Sequence, residues 1–420
     1  TPVTLTFTHQ LAKVRVTPSD DALGEVQSLQ LYTYTQCTYE KGKVVQGTDE
    51  GWIKMKKCEY TENGATITCW EANVVPGYEI TKLMANNDGE ERTLSSGITP
   101  VAGKFYNITL NKDLGYTEVS EGNYTVDNEK GLKNIAKLVN DGNTGIDITL
   151  TGNITLTGDW TPIGTSISNA YKGTFDGGGH TITGLTVTTN DKYAGLFGWL
   201  NRAGTVKNVV MEGVQITNNH SSGFAGGVVG NSWGTIENCS VSGSVNGEVY
   251  VGGVVGKQTS GSMTGCSSSA TVKGTVNVGG VAGESWGSMT ACYATGNVTL
   301  EIYPGKDISG GGVVGFKGGN SVLACYATGN VNSKGSSTGN VHIGGLFGYK
   351  YATAIACYWK NNKEQGIGYN KEGIVTEATK VDGTDVTWQK AVDAMNTALQ
   401  NAGSKWRYEL KGALPTLRKQ

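Results

Sequence analysis

Histidine is scarce in this chain of 420 residues: His9, His180, His220 and His342 are the only four, and neither HExxH nor any other closely spaced pair occurs. A zinc peptidase site built on paired histidines is therefore excluded. Proline is scarce as well, with seven residues and no G-X-Y period, which excludes collagen. No apolar run approaches the roughly 18 residues of a membrane-spanning helix, so no transmembrane segment is expected. Charged residues make up 17 % of the chain, against about 25 % in ordinary globular domains, and the formal net charge is -2. Nucleic acid and anionic lipid both call for a basic face, so neither is expected as the main partner. The opening TPVTLTFTHQ alternates like a strand and has no basic region followed by an apolar core, so either the chain is cytosolic or a leader has been removed.

Glycine, by contrast, is plentiful, at 63 residues, and Thr, Asn and Val are frequent, a composition that favours a secreted or surface β-protein over a cytosolic enzyme. Much of the glycine falls in a repeat. One motif recurs six times, as AGLFG at 194–198, GGVVG at 226–230 and 252–256, GGVAG at 279–283, GGVVG at 311–315 and GGLFG at 344–348, and each is followed by a second apolar strand such as TIENCSVSG or SMTACYATGNV. The second residues of the six motifs are 32, 26, 27, 32 and 33 apart. A period of that length, with short strands and Gly-marked corners, predicts coils of a parallel β-solenoid that stack about 4.8 Å apart. Crossovers between parallel strands make the coil right-handed.

Cys239, Cys266, Cys292, Cys325 and Cys357 recur nine or ten residues after the closing glycine of their motifs, and Val209 holds the matching place in the first copy. A valine in that slot favours a stack of small buried side chains over metal ligands, and no His or CxxC stands near at zinc spacing. Cys58 and Cys69 flank Asn63-Gly64, the strongest two-residue hairpin signal, and would sit opposite each other. Counting outward from the turn makes them a hydrogen-bonded pair, where crosslinks fit less well, so two buried thiols are favoured while a disulfide stays open.

Two helices are predicted. DNEKGLKNIAKLVNDGN offers Asp127 as N-cap and an apolar face of Leu132, Ile135, Ala136, Leu138 and Val139, giving a cap helix over 128–140. VTWQKAVDAMNTALQNAGSKW places Trp388, Val392, Met395 and Leu399 at the same spacing, within a C-terminal cap at 386–420. Residues 1–112 read instead as alternating strands of a β-sandwich, 113–126 as a linker, and 127–420 as the solenoid. The fold class is thus all-β: a sandwich followed by a right-handed parallel β-helix with helical caps.

The six copies, with GGVAGESWGSMTACYATGNV as an example, resemble the GLUG repeat of bacterial surface adhesins and of some immunoglobulin-A proteases. WTPIG at 160–164, GTFDGGGHTITGL at 173–185 and the closing LPTL resemble the surroundings of such repeats. FTHQLAKVRV and PVAGKFYNITL resemble the two ends of fimbrillin-like domains from pilins and pilus-associated adhesins. These resemblances imply a non-catalytic adhesin or fimbria-associated binding protein at the cell surface or outside the cell. An outer-membrane lipid anchor on a removed leader fits the same picture. Expected partners are host or bacterial glycans, surface proteins, or fimbrial subunits. The alternatives are a structural stalk in a fimbria-like assembly and, third, a polysaccharide-active solenoid enzyme.

Catalytic strings are present but misplaced. GNSWG and GESWG fit GxSxG, yet Ser232 and Ser285 fall at the same corner of two repeats, where no strand-to-helix elbow exists. GGGVVG at 310–315 fits GxGxxG with no helix after it. The strands between 226 and 358 carry almost no acidic residues for glycosidase chemistry, so no enzyme, cofactor or metal site is expected. Long repeats add inserts at one corner, around 216–222, 300–309 and 333–340, while two coils between the first two lack them. This predicts a walled notch that binds a ligand, with Glu248 and Tyr250 on its floor and His220, Glu301, Tyr303 and Asp307 on its walls. The aromatics Trp233 and Trp286, and Trp199, Phe316 and Tyr349 just after Gly motifs, would stack on sugars if exposed. Packing between coils is the reading favoured for them.

Overall fold

A computed structural model describes residues 9–41, 43–86, 91–371, 374 and 376–420; the strand expected at the start of the chain, over residues 1–8, lies outside the described residues. The chain divides into two compact units, Thr1–Asp113 and Leu114–Gln420.

The first unit holds β1 (Ala12–Pro18), a single helical turn α1 (Asp20–Leu23), β2 (Leu29–Glu40), β3 (Lys43–Lys54), β4 (Lys56–Glu62), β5 (Ala65–Val74), β6 (Ile80–Ala85), β7 (Glu91–Ile98) and β8 (Phe105–Leu110). They form two four-stranded sheets, β4-β5-β1-β8 and β3-β2-β6-β7. Alternate residues of both sheets, including Val14, Val16 and Trp70 from one and Leu29, Leu31 and Ile80 from the other, build a common sandwich-like core. At the β4–β5 turn Asn63 and Gly64 take φ of 50° and 81°, as a primed hairpin turn requires. Cys58 faces Cys69 in the ladder with both thiols free. Cys69 is buried; Cys58 is only half-buried, because β4 is an edge strand.

The second unit is a solenoid of about seven turns. Residues 113–126, which read as a linker, instead contain its first layer. β9 (Tyr116–Ser120) and β10 (Asn123–Val126) form an antiparallel hairpin, and β10 runs parallel to Asp147–Leu150. Helix α2 (Glu129–Asn140) follows, capped by Asn128 rather than Asp127, with the Asn128 Oδ1 accepting from the Gly131 N–H at 2.9 Å. Its Leu132, Ile135, Ala136 and Val139 are buried in the solenoid core, with Leu138 packed at the margin.

Successive coils are in register. Thr205–Lys207, Thr235–Glu237, Ser262–Thr264 and Ser288–Thr290 pair in parallel, so Val206, Ile236, Met263 and Met289 stack into one interior column. A fully buried large side chain of this kind contributes roughly 1.5–3 kcal/mol. The five repeat cysteines form a second column with Val209; all are buried and all carry free thiols.

The residue before each member of that column has a left-handed backbone: Asn208, Asn238, Gly265, Ala291, Ala324 and Ala356, at φ between 50° and 66°. Asn and Gly tolerate this conformation, whereas a side chain such as Ala costs about 1–2 kcal/mol there. Covering elements explain the choice. Asn208 and Asn238 lie in the first two coils, where the Asn238 amide donates to Asn208 and the Asn208 amide to Asp176. Over the later coils lie α3 (Trp388–Asn401) and the hairpin Trp406–Lys411 with Leu414–Lys419. Ala291, Ala324 and Ala356 are buried with Trp388, Val392, Met395 and Leu399, and a Cβ on Gly265 would strike the Trp406 ring at 2.4 Å. The C-terminal helix therefore covers the flank of the stack, where only small residues fit beneath it. The Tyr408 hydroxyl fastens the hairpin by donating to the Ala324 carbonyl at 2.9 Å, and Asn396 of α3 is hydrogen-bonded to the Tyr408 backbone.

Ala324→Gly, which relieves the left-handed strain, is expected to stabilise the chain by up to about 1 kcal/mol. Ala324→Leu must displace α3 and is expected to destabilise it by about 1–3 kcal/mol. Thermal unfolding of the pair checks this, and equal behaviour of the two variants would refute the covering role.

Candidate functional site

The inserts do build a cleft. Residues 216–222 continue the strand Val210–Asn218, and 300–309 continue Val298–Ile302, so both project from the same corner of one sheet, with the strands Ser240–Asn246 and Thr271–Gly274 between them. Between the two inserts lies an open cleft of about 700 Å³, with Asn246, Glu248 and Lys273 at its base, Asn219 on one side and Glu301 with Tyr303 on the other. Glu301 is paired with Lys273 at 2.7 Å and Glu248 with Lys306 at 3.2 Å. The Lys273 ammonium holds the Glu301 carboxyl below its usual range. Tyr303 is 51 % exposed, and its hydroxyl reaches Glu301 at 3.4 Å.

Of the six residues singled out from the sequence, Glu248, Glu301 and Tyr303 line this cleft; His220, Tyr250 and Asp307 do not. His220 is occupied in its own turn, where its Nδ1 accepts from the Ser222 N–H. Asp307 accepts from the backbone and side-chain amides of Asn340 and so organises the next insert. Tyr250 points elsewhere, stacked on Phe224 at 4.7 Å.

Tyr250 belongs to a second arrangement that sequence reasoning saw only in part. In each coil two strands meet at the Gly motif, and the first contributes a column in register: Tyr193, Phe224, Tyr250, Asn277, Ser309 and His342. The second contributes Trp199, Asn231, Lys257, Glu284, Phe316, Tyr349 and Tyr369. The columns stand side by side, with ring centroids 4.9 Å apart for Tyr193 and Trp199 and 5.1 Å for His342 and Tyr349. The middle of the strip is polar. Lys257 pairs with Glu284 at 2.8 Å and lies over the Tyr250 ring, while Asn277 and Trp286 each donate to a Glu284 oxygen.

At the C-terminal end Phe316, Tyr349 and Tyr369 stack at 5.2 and 4.5 Å. The aromatics there are not mere filler between coils: Trp286 is 41 %, Tyr351 36 % and Tyr369 41 % exposed. The signal available in the sequence was position, since six of the seven residues of the second column directly follow the closing glycine of a motif.

The next residue along each second strand points inward: Ser232, Gln258, Ser285, Lys317 and Lys350 are all fully buried. Ser285, from one of the two GxSxG strings, donates to Gln258 at 2.8 Å and has no histidine beside it. Lys317 donates to the carbonyls of Ser285, Gly287 and Gly318. Burial pushes its pKa down to about 7, and that of Lys350 to about 8. Unfolded, a lysine holds its proton to about pH 10.4. The unfolded chain therefore binds more protons above pH 7, and stability rises with pH from there. Between pH 6.5 and 7.5, a unit or more below the ordinary thiol pKa of about 8.5, the melting temperature is expected to climb. Lys317→Met should flatten that climb; an unchanged slope would show that the buried ammonium is not its source.

Among the described residues there is no cluster of three or more His, Cys, Asp or Glu placed to hold a metal ion, and no helix is long and apolar enough to cross a membrane.

Comparison with known proteins identifies the coil. The GLUG motif matches residues 223–246 and 247–273, each match spanning one turn. Halomucin of Haloquadratum walsbyi is 36 % identical over 159 residues, which are 34 % of this chain and 2 % of that protein. A "Putative Gly-rich membrane protein" of Evansella cellulosilytica is 37 % identical over 83 residues, 20 % of this chain and 10 % of its own. The chain thus spans only a small fraction of either relative. A solved structure from Bacteroides ovatus, titled as a "putative immunoglobulin A1 protease", superposes with a TM-score of 0.56 at 19 % identity, over 72 % of this chain and 94 % of that one. That likeness concerns the fold alone. Residues 223–246 and 247–273 thus carry the GLUG motif, and each matched motif is one turn of a parallel β-solenoid.

Proposed function

We propose that this chain is a surface-associated, non-catalytic binding protein, an adhesin whose solenoid recognises a glycan or a host protein. The observation that carries the reading is the insert cleft, in which both carboxylates are held in ion pairs by lysines while an exposed tyrosine stands on the wall. A general acid needs a raised pKa, and Glu301 is shifted the other way. The similarity to halomucin and to a protein named as a membrane protein supports placement at a surface. A fimbrillin-like role for the N-terminal sandwich would attach this module to a fimbria-like assembly.

The test is binding of the full chain to a glycan array and to immobilised mucin and matrix proteins. Selective binding is expected, weakened at least about tenfold by Tyr303→Ala as for a central aromatic contact. Absence of binding to every probe would overturn the adhesin reading and leave the stalk.

A further inference from the structure

The aromatic strip lies apart from the insert cleft, and the reading above does not use it. We propose that its exposed C-terminal end, centred on Trp286 and Tyr369, is a binding platform for a neutral polysaccharide built of pyranose units. The proposal rests on the solenoid being a recognition module, and it adds a second surface with its ligand class.

The rings are held in place before any ligand arrives. Tyr369 spends one face on Tyr349, which is itself stacked on Phe316 with the planes 6° apart. The hydroxyls of Tyr349 and Tyr351 are hydrogen-bonded at 2.9 Å. Trp286 lies against Gly318, where an added Cβ would meet the indole at 2.8 Å, and its N–H is fixed by Glu284 at 2.7 Å. Each ring thus has one face packed on protein and yet is 41 % exposed. Side chains ordered in advance lose little entropy on binding, which is what makes rigid aromatics efficient contact groups.

Charge narrows the ligand. Glu284 is 9 % exposed, and its two oxygens are taken by Lys257, Asn277 and Trp286. An ionic ligand would have to compete with that network. A pyranose ring needs no such exchange, since its apolar C–H face suits the open ring faces and its hydroxyl rim suits the tyrosine hydroxyls and His342. Burial lowers the His342 pKa, leaving the imidazole neutral at pH 7 with one donor and one acceptor.

Affinity electrophoresis of the full chain tests this, with β-glucan, mannan, xylan and dextran as neutral probes and polygalacturonate and heparin as acidic ones. At least one neutral polysaccharide is expected to retard the protein, with affinity reduced at least about tenfold by Trp286→Ala and by Tyr369→Ala and unchanged by Tyr39→Ala, which removes an exposed aromatic of the first unit. Both substituted rings are at the surface, and the two variants check each other against misfolding. Retardation by acidic polysaccharides alone, or retardation that both ring variants preserve, overturns the platform. Binding abolished by Tyr303→Ala but kept by both ring variants moves the site to the cleft, which sinks this proposal and leaves the recognition reading standing. If no polysaccharide, mucin or matrix protein binds, both fall.

Discussion

The solenoid depends on a backbone contact that only glycine permits. At the closing glycine of each motif the two strands of a coil come so near each other, and so near the preceding coil, that no Cβ fits. On Gly283 a Cβ would lie 2.5 Å from the Val251 nitrogen and 2.7 Å from the carbonyl oxygens of Asn277 and Gly256. The same holds at Gly256 and Gly315, where every close atom is again main chain. Main chain cannot rotate aside as a side chain can. The glycine column therefore fixes how the strands meet, and that meeting brings the two outward columns into contact. The aromatic strip and the polar network around Glu284 are consequences of this close approach.

A second constraint acts at the other corner of the coil. The left-handed residue before each cysteine turns the chain so that the thiol or Val209 enters the core. What may occupy that position then depends on what lies outside. Asparagine serves where its amide can hydrogen-bond along the stack. Alanine and glycine serve where α3 and the C-terminal hairpin press down. One repeat thus presents a covered flank and an open one, and the candidate binding surfaces lie where α3 and the hairpin do not.

Much of this was legible in the residues. The recurring motif gives the coil, and Val209 in a cysteine slot already argues for interior packing. What escaped had weaker local signals. The hairpin at 116–126 is short, and its hydrophobic partner, the start of the solenoid, is supplied only by tertiary packing. The capping role passed from Asp127 to Asn128 because helix ends are set by side-chain geometry within one residue. Insert lengths located the cleft and placed Glu248, Glu301 and Tyr303 in it, but they carry no information on side-chain direction. Tyr250 was therefore assigned to the cleft floor, whereas the register of its strand aims it into the aromatic column. Lys257 and Glu284 gave no signal until both columns were known.

The central claim is that glycine at the strand meeting point is required by main-chain contact and not by flexibility. Gly283→Ala tests it, with Gly145→Ala as control, since no atom lies within 4 Å of a Cβ built there. Calorimetric unfolding of the full chain should show Gly283→Ala destabilised by at least about 2 kcal/mol, in the range of overpacked cores, and Gly145→Ala unchanged or slightly stabilised. Equal melting of Gly283→Ala and the parent chain would contradict the account.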